Sequence, residues 1–308
     1  MQADPHTSST VLLVRPAAFG FHPEAAETNA FASGSADAGV RAHAIREAER
    51  LARSLDRAGV EVLMFDDTPE PGKPDAVFPN NWISFHADGT VVVYPMATER
   101  RRLERNLPAV KALLGRKGFE VRQVIDLSAH EETGHFLEGT GSLILDRPGR
   151  RAFANRSRRT DEKVVAEFDR QLGFETRLFD AFGASGHPIY HTNVLLSLGT
   201  ALAVLCAEVV PDEQRSALIA DIEGTGRSVI LVDYEQLRRF ACNILELQGR
   251  AGEPVIAMSE AARKSFRPDQ LSEIERFGTI VEASIPTIEA VGGGSVRCMI
   301  ADVHLPRN

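Results

Sequence analysis

Short apolar runs alternate with longer amphipathic stretches along the whole chain, and this alternation predicts an α/β protein. Runs rich in β-branched residues predict strands over residues 11–14, 60–65, 82–85, 90–94, 120–125, 142–145, 151–154, 175–179, 194–198, 201–206, 229–232, 255–258, 279–283 and 296–303. Apolar residues at helical spacing predict helices over residues 39–57, 101–117, 160–172, 211–222, 234–239 and 268–276.

These elements follow a repeated order, in which two strands joined as a hairpin precede a helix and a further strand. The order recurs about five times along the chain. Because plain parallel sheets alternate single strands with helices, the hairpins argue against a Rossmann-type sheet. No glycine- or proline-rich linker divides the sequence. We therefore expect one domain over residues 1–308, with a flexible tail over about residues 1–10.

The composition narrows the classes of partner. Of the 308 residues, 43% are hydrophobic and 25% charged, which is typical of a soluble globular protein. A formal net charge of −8 argues against nucleic acid binding, and two short basic clusters, residues 100–102 and 156–159, are interpreted as solvated helix or loop surface. No apolar run approaches the ~20 residues of a membrane helix, and residues 1–10 lack a secretory signal. We expect a cytoplasmic protein with neither a membrane nor a nucleic acid partner.

The three cysteines do not form a disulfide framework, because their number is odd and their spacing shows no pairs. Cys206 and Cys242 lie in apolar runs and are interpreted as core residues. Cys298 differs, because three glycines at 292–294 allow the backbone before it to approach a ligand closely. We expect its thiol to project from the start of the predicted strand 296–303 into the space that this loop encloses. The loop is not a phosphate loop, since it lacks the lysine and no helix is expected after it.

Polar residues occur where apolar ones would be expected in three earlier segments: FPNNW at 78–82, HFLEGTGS at 135–142 and HPIYHTN at 187–193. A buried carboxylate such as Glu138 is costly unless it has a partner. Each segment also admits a structural role: an Asx turn at residues 80–81, an ion-paired Glu138, and a core or surface His191.

Cys298, His191 and Glu138 together fit nucleophilic catalysis, with a thiol, a general base and a carboxylate that orients the base. A free thiol with a pKa of ~8.5 is little ionised at neutral pH, so a neighbouring imidazolium would promote thiolate formation. A zinc site is the competing interpretation. It is disfavoured, because the chain has no Cys-x-x-Cys pair.

The motifs FPNNW, LEGTGS, HTN and GGGSVRC resemble those of the pentein, or guanidino-group-modifying, superfamily. The closest resemblance is to the citrulline-hydrolase type related to arginine deiminases. It extends from Arg15-Pro16 to Cys298, nearly the whole chain. The resemblance implies a five-bladed α/β propeller of ββαβ modules around a pseudo-fivefold axis, with a cofactor-free site in the central channel.

By position, the resemblance implies that Cys298 is the nucleophile, His191 the general acid/base and Glu138 its orienting partner. The substrate-binding residues that it implies are Asn80, Asn81, Asn193, Asn29 and Arg159. Deiminase-like members carry aspartates at the positions of Asn81 and Asn193 to hold a guanidinium, whereas a carboxamide suits a neutral ureido group. Asn29 and Arg159 are candidates for binding the α-carboxylate and α-amine of the substrate. Alternatively, Asn29 is a local turn residue and Arg159 a surface charge.

The expected partner is a small ureido or guanidino amino acid. We expect hydrolysis of the ureido group of citrulline or a citrulline-like compound, giving ornithine, CO2 and ammonia through a covalent intermediate on Cys298. Arginine deimination and ammonia-forming arginine dihydrolysis remain alternatives, because asparagines at matching positions also occur in dihydrolases of this superfamily. A catalytically silent binding protein on the same fold is an alternative of another class. The sequence leaves open whether the chain forms a homo-oligomer.

Overall fold

The computed structural model describes residues 4–34 and 38–307, and the strands within these ranges form five three-stranded sheets. The strands are β1 Thr10–Arg15, β2 Glu61–Asp66, β3 Ile83–Phe85, β4 Thr90–Val93, β5 Gln123–Asp126, β6 Ile144–Asp146, β7 Arg151–Asn155, β8 Glu175–Phe179, β9 Leu196–Leu198, β10 Leu202–Leu205, β11 Ser228–Leu231, β12 Leu245–Gln248, β13 Pro254–Ser259, β14 Thr279–Ala283 and β15 Ala301–Asp302.

The helices connect the second and third strands of each sheet or precede its first strand. They are α1 Pro23–Ala26, α2 Ala38–Arg57, α3 Glu99–Arg102, α4 Leu107–Arg116, α5 Gly139–Ser142, α6 Glu162–Leu172, α7 Asp212–Glu223, α8 Tyr234–Arg238, α9 Glu260–Ser265, α10 Pro268–Glu275 and α11 Val296–Met299. None of the helices within the described ranges is long and apolar enough to cross a membrane.

All five sheets share one topology, with a central strand antiparallel to one neighbour and parallel to the other. In the sheet of β4, for example, Val92 pairs with Ser84 of antiparallel β3 and with Ile125 of parallel β5. Four sheets are continuous in sequence, β3–β5, β6–β8, β9–β11 and β12–β14, whereas the fifth combines β1 and β2 with β15 from the end of the chain. The predicted order of hairpin, helix and strand is thus confirmed.

Helix α2 shows how the amphipathic pattern positions the helices. Its residues Ala44, Ala48, Leu51 and Leu55 recur at helical spacing and are all fully buried. This face packs against β1 and β2 of its own sheet and against β14 of the neighbouring one. The core therefore lies between each sheet and the helices on it, and α2 joins two modules.

Two predicted elements are wrong. Residues 101–117 are not one helix, because α3 ends at Arg102 and α4 begins at Leu107, where the Asn106 side chain caps α4 by accepting from Ala109 N at 3.3 Å. Residues 296–303 are not one strand, because 296–299 form α11 and only β15 pairs with β1. The β-branched character of this segment reflects burial rather than strand structure.

The strand β12 and the helices α1 and α9 were not predicted, and β12 completes the hairpin of its sheet. The expectation of a flexible tail does not hold for residues 4–9. Asp4 and Ser8 are buried, the Ser8 hydroxyl donates to the carbonyls of Thr10 and Val303, and His6 Nε2 lies 3.1 Å from the Leu198 carbonyl oxygen. Residues 1–3 of the expected tail lie outside the described residues.

Candidate active site

Residues from the four sequence motifs converge because each sheet contributes one short turn before its first strand. The turns Pro79–Asn81, Gly139–Ser142, Thr192–Val194 and Val296–Met299 precede β3, β6, β9 and β15, and the Asn243 segment precedes β12. A polar side chain at the same place in each module therefore lies at the same end of its sheet. The structure brings the side chains of Asn81, Glu138, His191, Asn243 and Cys298 together in this way.

Cys298 lies at a small cavity of about 20 Å³, with its side chain almost fully buried. Its sulfur accepts hydrogen bonds from Asn243 Nδ2 at 3.3 Å and from Asn193 Nδ2 at 3.4 Å. Burial raises the pKa of the Cys298 thiol, although the backbone hydrogen bond at Ser295 and the two carboxamides oppose this effect. The buried environment therefore favours the neutral thiol over the thiolate.

His191 and Glu138 form a buried pair, with Nε2 of the imidazole 2.8 Å from Oε2 of the carboxylate. Burial lowers the pKa of His191 to about 4, although the hydrogen bond to Glu138 opposes this. Burial alone would raise the pKa of Glu138, yet the charge of Arg159 and the hydrogen bond from His191 hold it well below its usual range. A neutral His191 thus donates its Nε2 proton to the carboxylate and retains a lone pair on Nδ1.

The glycines of the LEGTGS motif allow three segments to meet closely. A Cβ atom at Gly139, whose φ is +49°, would lie 2.2 Å from the Asn80 carbonyl oxygen. At Gly141 it would lie 2.6 Å from Asn81 Nδ2 and 2.8 Å from His191 Nδ1. Any side chain at Gly141 would therefore displace the imidazole or the carboxamide.

Asn80 and Asn81 are both buried, but only Asn81 lines the cavity. Asn81 Nδ2 donates to Asn80 Oδ1 at 2.9 Å, and Asn81 Oδ1 accepts from Arg101 Nη1 at 2.9 Å. Among the described residues, Asn80 Nδ2 has no hydrogen-bond partner. The arginine therefore fixes the orientation of the Asn81 carboxamide.

Asn29 and Arg159 line the same cavity and hold the segment 25–29 against it. Asn29 Nδ2 lies 3.3 Å from Gly292 O and 3.2 Å from Gly293 O, which connects this segment to the glycine loop. Arg159 donates to Ala25 O at 2.7 Å and approaches Glu138 at 3.3 Å. The interpretation of residues 156–159 as solvated surface is wrong for Arg159, which is only 2% exposed.

Sequence reasoning missed several residues of the site, most notably Arg101. Its guanidinium is 2% exposed, binds both carboxylate oxygens of Glu104 at 3.0 Å, and lies 3.5 Å from Glu138. Burial raises the pKa of Glu104 to about 7, although Arg101 opposes this. No local signal separates Arg101 from exposed Arg100 and half-buried Arg102 in the same basic run.

Three other residues were also missed: Asn243, Asp75 and Tyr190. Asp75 lines the cavity, accepts a hydrogen bond from His22 Nδ1 at 2.8 Å and lies 3.9 Å from Arg101. The Tyr190 hydroxyl donates to Gly293 O at 2.6 Å. Asn243 follows Cys242, whose burial as a core thiol is confirmed along with that of Cys206. Among the described residues, no group of three or more metal-binding side chains could hold a metal ion.

The family model described as N,N dimethylarginine dimethylhydrolase, eukaryotic, matches residues 15–305. No curated protein matches the chain at a significant level. The chain is therefore similar along nearly its whole length to one family of hydrolases.

Among solved structures, the product-bound N-terminal domain of ArgZ, an arginine dihydrolase from the ornithine–ammonia cycle in cyanobacteria, is 18% identical with a TM-score of 0.73, over 96% of this chain and 99% of that domain. Full-length ArgZ is 19% identical with a TM-score of 0.75, and the match covers 97% of this chain but 41% of ArgZ. The dimethylarginine dimethylhydrolase (DDAH) of Pseudomonas aeruginosa in complex with citrulline is 13% identical, with a TM-score of 0.64 over 96% and 98% of the two chains. At these identities the likeness shows a shared fold.

Proposed function

Because the chain belongs to the N,N dimethylarginine dimethylhydrolase family of the pentein superfamily, we propose that it hydrolyses the ureido group of citrulline or a citrulline-like compound. Membership of this family makes the chain a hydrolase of C–N bonds. The choice of substrate and the roles of individual residues are our proposal, and the geometry around Cys298 supports them.

The observation that carries this proposal is the position of the Cys298 sulfur between two carboxamides, those of Asn193 and Asn243. The cavity beside this sulfur is lined by two other carboxamides, those of Asn29 and Asn81. A neutral ureido group presents both donors and an acceptor, and carboxamides match both kinds of group.

The charges around the cavity support the same choice. Glu138 contacts the buried cations Arg101 and Arg159. Asp75 contacts His22 and lies near Arg101. A guanidinium entering the cavity would lose its hydration and find each of these carboxylates already engaged by another group.

The proposed mechanism begins from a neutral thiol and a neutral imidazole. The Nδ1 atom of His191 accepts the proton of Cys298 as the sulfur attacks the ureido carbon, and Glu138 stabilises the imidazolium that forms. The imidazolium then protonates the departing amine. After the amine has left, a thiocarbamate remains bound to the sulfur of Cys298. Water activated by His191 releases this intermediate. Citrulline and one water thus give ornithine, CO2 and ammonia.

A deiminase or dihydrolase acting on arginine is the second candidate. It is favoured by the overall similarity to ArgZ, an arginine dihydrolase, and by the Asp75 carboxylate in the cavity wall. A silent binding protein on the same fold is disfavoured, because Cys298, His191 and Glu138 are all present in one buried arrangement.

We further propose that the five sheets are the blades of a propeller around a pseudo-fivefold axis, and that residues 1–308 form a single catalytic domain. Five equivalent turns deliver polar groups to one site, as rotational repetition requires. The first strands also lie side by side, with β15 against β3 and β9 between β6 and β12.

The test is a side-by-side assay of citrulline, arginine and dimethylarginine, in which ornithine, citrulline and ammonia are measured. We expect citrulline to give ornithine and ammonia in equal amounts. If arginine were consumed faster than citrulline, the ureido proposal would be overturned. Accumulation of citrulline would then indicate a deiminase, and accumulation of ornithine a dihydrolase. Iodoacetamide that alkylates Cys298 should block turnover. Turnover that persists after Cys298 is alkylated would exclude the cysteine mechanism.

A further inference from the structure

A second small cavity, of about 30 Å³, lies where the first strands of four sheets converge. Residues of β6, β9, β12 and β15 line it, together with His6 from the N-terminal segment. Two further wall residues belong to the catalytic turns: Thr140 follows Glu138 by two positions, and Arg297 directly precedes Cys298. The cavity is therefore connected to the catalytic groups through backbone that they share.

The wall of this cavity carries an excess of positive charge. The guanidiniums of Arg147 and Arg297 are both buried, and both pair with the single carboxylate of Asp302, at 3.1 Å and 3.5 Å. A third guanidinium nearby, Arg227, is outside the wall and is paired with Asp146 at 2.8 Å.

His6 does not change this balance, because burial lowers its pKa to about 4 and keeps it neutral. Two cations thus share one anion in a buried space, which is an unfavourable arrangement unless a further anion is present.

Backbone carbonyls also hold the two arginines of the wall in place. Arg297 donates through Nη1 to Ile300 O at 2.9 Å, and Arg147 donates through Nη1 to Phe85 O at 3.2 Å. These carbonyls and the Asp302 carboxylate thus hold both guanidiniums beside the cavity.

We propose that this cavity binds one small inorganic anion, chloride or bicarbonate, between Arg147 and Arg297. Its volume has room for about two waters, so it suits a small inorganic anion and excludes organic phosphates. The Asp302 carboxylate also faces the cavity and leaves a net charge that one monovalent anion neutralises.

Binding there has a consequence at the nucleophile. The charge of Arg297 favours the thiolate of its neighbour Cys298, and an anion beside Arg297 weakens this effect. The thiol then becomes less reactive. Bicarbonate would be formed from the CO2 of the proposed reaction, so its role as a product that slows the enzyme rests on the proposed function.

The test measures the rate at which iodoacetamide alkylates Cys298 in the wild-type protein without substrate. Chloride, bromide and bicarbonate are titrated against gluconate at constant ionic strength. Saturable slowing by about 3- to 10-fold is expected, because a higher pKa leaves less of the thiol ionised. Slowing by chloride and bromide but not by bicarbonate would assign the site to halides. A response identical to that in gluconate would overturn the proposal.

Two variants locate the effect. Arg297→Lys keeps the charge but removes the planar donor group, and we expect the saturable response to weaken at least about 10-fold in anion affinity. Arg227→Lys alters a buried arginine of the same region that does not line the cavity, so its response should match the wild type. Equal responses in the two variants would overturn the proposed location.

Crystals soaked in bromide provide an independent readout that does not require a folded variant. An anomalous peak between Arg147 and Arg297 is expected, whereas ordered water alone in the cavity would overturn the proposal. Because neither measurement depends on turnover, the anion site survives if citrulline is not a substrate. Likewise, citrulline hydrolysis without any anion response would overturn only the anion site.

Discussion

The Nε2 atom of His191 lies 2.8 Å from Oε2 of Glu138, and this contact determines which ring nitrogen is available for catalysis. Glu138 remains ionised, because Arg159 and the histidine hold its pKa well below the usual range in spite of burial. The carboxylate therefore accepts a hydrogen bond from the protonated Nε2, which leaves the lone pair of the ring on Nδ1. A base oriented in this way accepts a proton on Nδ1 without rearrangement.

Glu138→Gln should preserve the fold but reduce kcat by about 100-fold or more, since the neutral amide stabilises imidazolium poorly. The carboxylate also raises the pKa of His191, so its removal lowers that pKa further. The acid limb of the kcat/KM profile, expected near pH 4 in the wild type, should therefore move to lower pH. Steady-state rates between pH 3.5 and 9 test this.

Glu246→Gln is the matched control, because Glu246 only binds the exposed turn at Thr200. Its rate and pH profile should equal those of the wild type. If Glu138→Gln also kept the wild-type rate and acid limb, Glu138 would have a structural role only.

Glu138 should also contribute to the pH dependence of stability. Its pKa is lower in the folded than in the unfolded state, so the contribution is present above the unfolded pKa of ~4.5 and is lost as pH falls toward the folded pKa. Denaturant unfolding at pH 7 and at pH 4 should therefore show a smaller difference in Glu138→Gln than in the wild type. An unchanged difference would contradict the low pKa assigned to this group.

Cys298→Ser should abolish turnover, with a loss of several orders of magnitude, while the protein stays folded. Serine is close in size to cysteine, but its hydroxyl is a far weaker nucleophile at neutral pH. Cys206→Ser alters another buried thiol that lies outside the site, and it should retain activity after any loss of stability is taken into account. Cys298→Ser activity within about tenfold of the wild type would exclude covalent catalysis by this residue.

The repeat of sheets and the three central catalytic candidates could be predicted, because each depends on a short stretch of sequence. Hairpin turns and apolar periodicity are local, as are the motifs around Glu138, His191 and Cys298. Arg101 could not be predicted as a site residue, because the site groups that it contacts, Asn81 and Glu138, lie 20 and 37 positions away. Asn243 could not be predicted either, because the Cys298 sulfur that it contacts lies 55 positions away in the sequence.

The segment around Cys298 shows a different limit of sequence reasoning. Its apolar and β-branched residues, Val296, Met299 and Ile300, are buried on all sides, and such residues fit a strand or a short buried helix equally well. The backbone of Cys298 donates to Ser295 O at 3.0 Å, which closes a helical turn. Tertiary packing around the cavity, rather than local preference, selects α11.

Gly141→Ala tests the close approach of the catalytic segments. The added Cβ would lie 2.8 Å from His191 Nδ1 and 2.6 Å from Asn81 Nδ2, closer than real Cβ contacts allow. We expect kcat to fall by about 100-fold, because a displacement of ~1 Å at reacting groups has that effect. Gly115→Ala in α4 is the control, since its Cβ meets no atom within 4 Å. Equal activity of the two variants would show that the His191 imidazole can shift away from the added Cβ without loss of kcat.

The selection between neutral and cationic substrates is tested at Asn81. Its Oδ1 accepts from Arg101 Nη1 at 2.9 Å, which leaves Nδ2 as the donor. Asn81→Asp removes that donor and adds a carboxylate at the cavity, so kcat/KM for citrulline should fall and the ratio of arginine to citrulline turnover should rise. Sites built on buried polar matching discriminate by up to about 10⁴-fold, and a shift of at least about 10-fold in this ratio is expected.

Asn106→Asp places the same change at the exposed cap of α4, where aspartate caps equally well, and it should leave the ratio unchanged. If Asn81→Asp left the ratio unchanged as well, the carboxamide would not be the group that selects a neutral substrate.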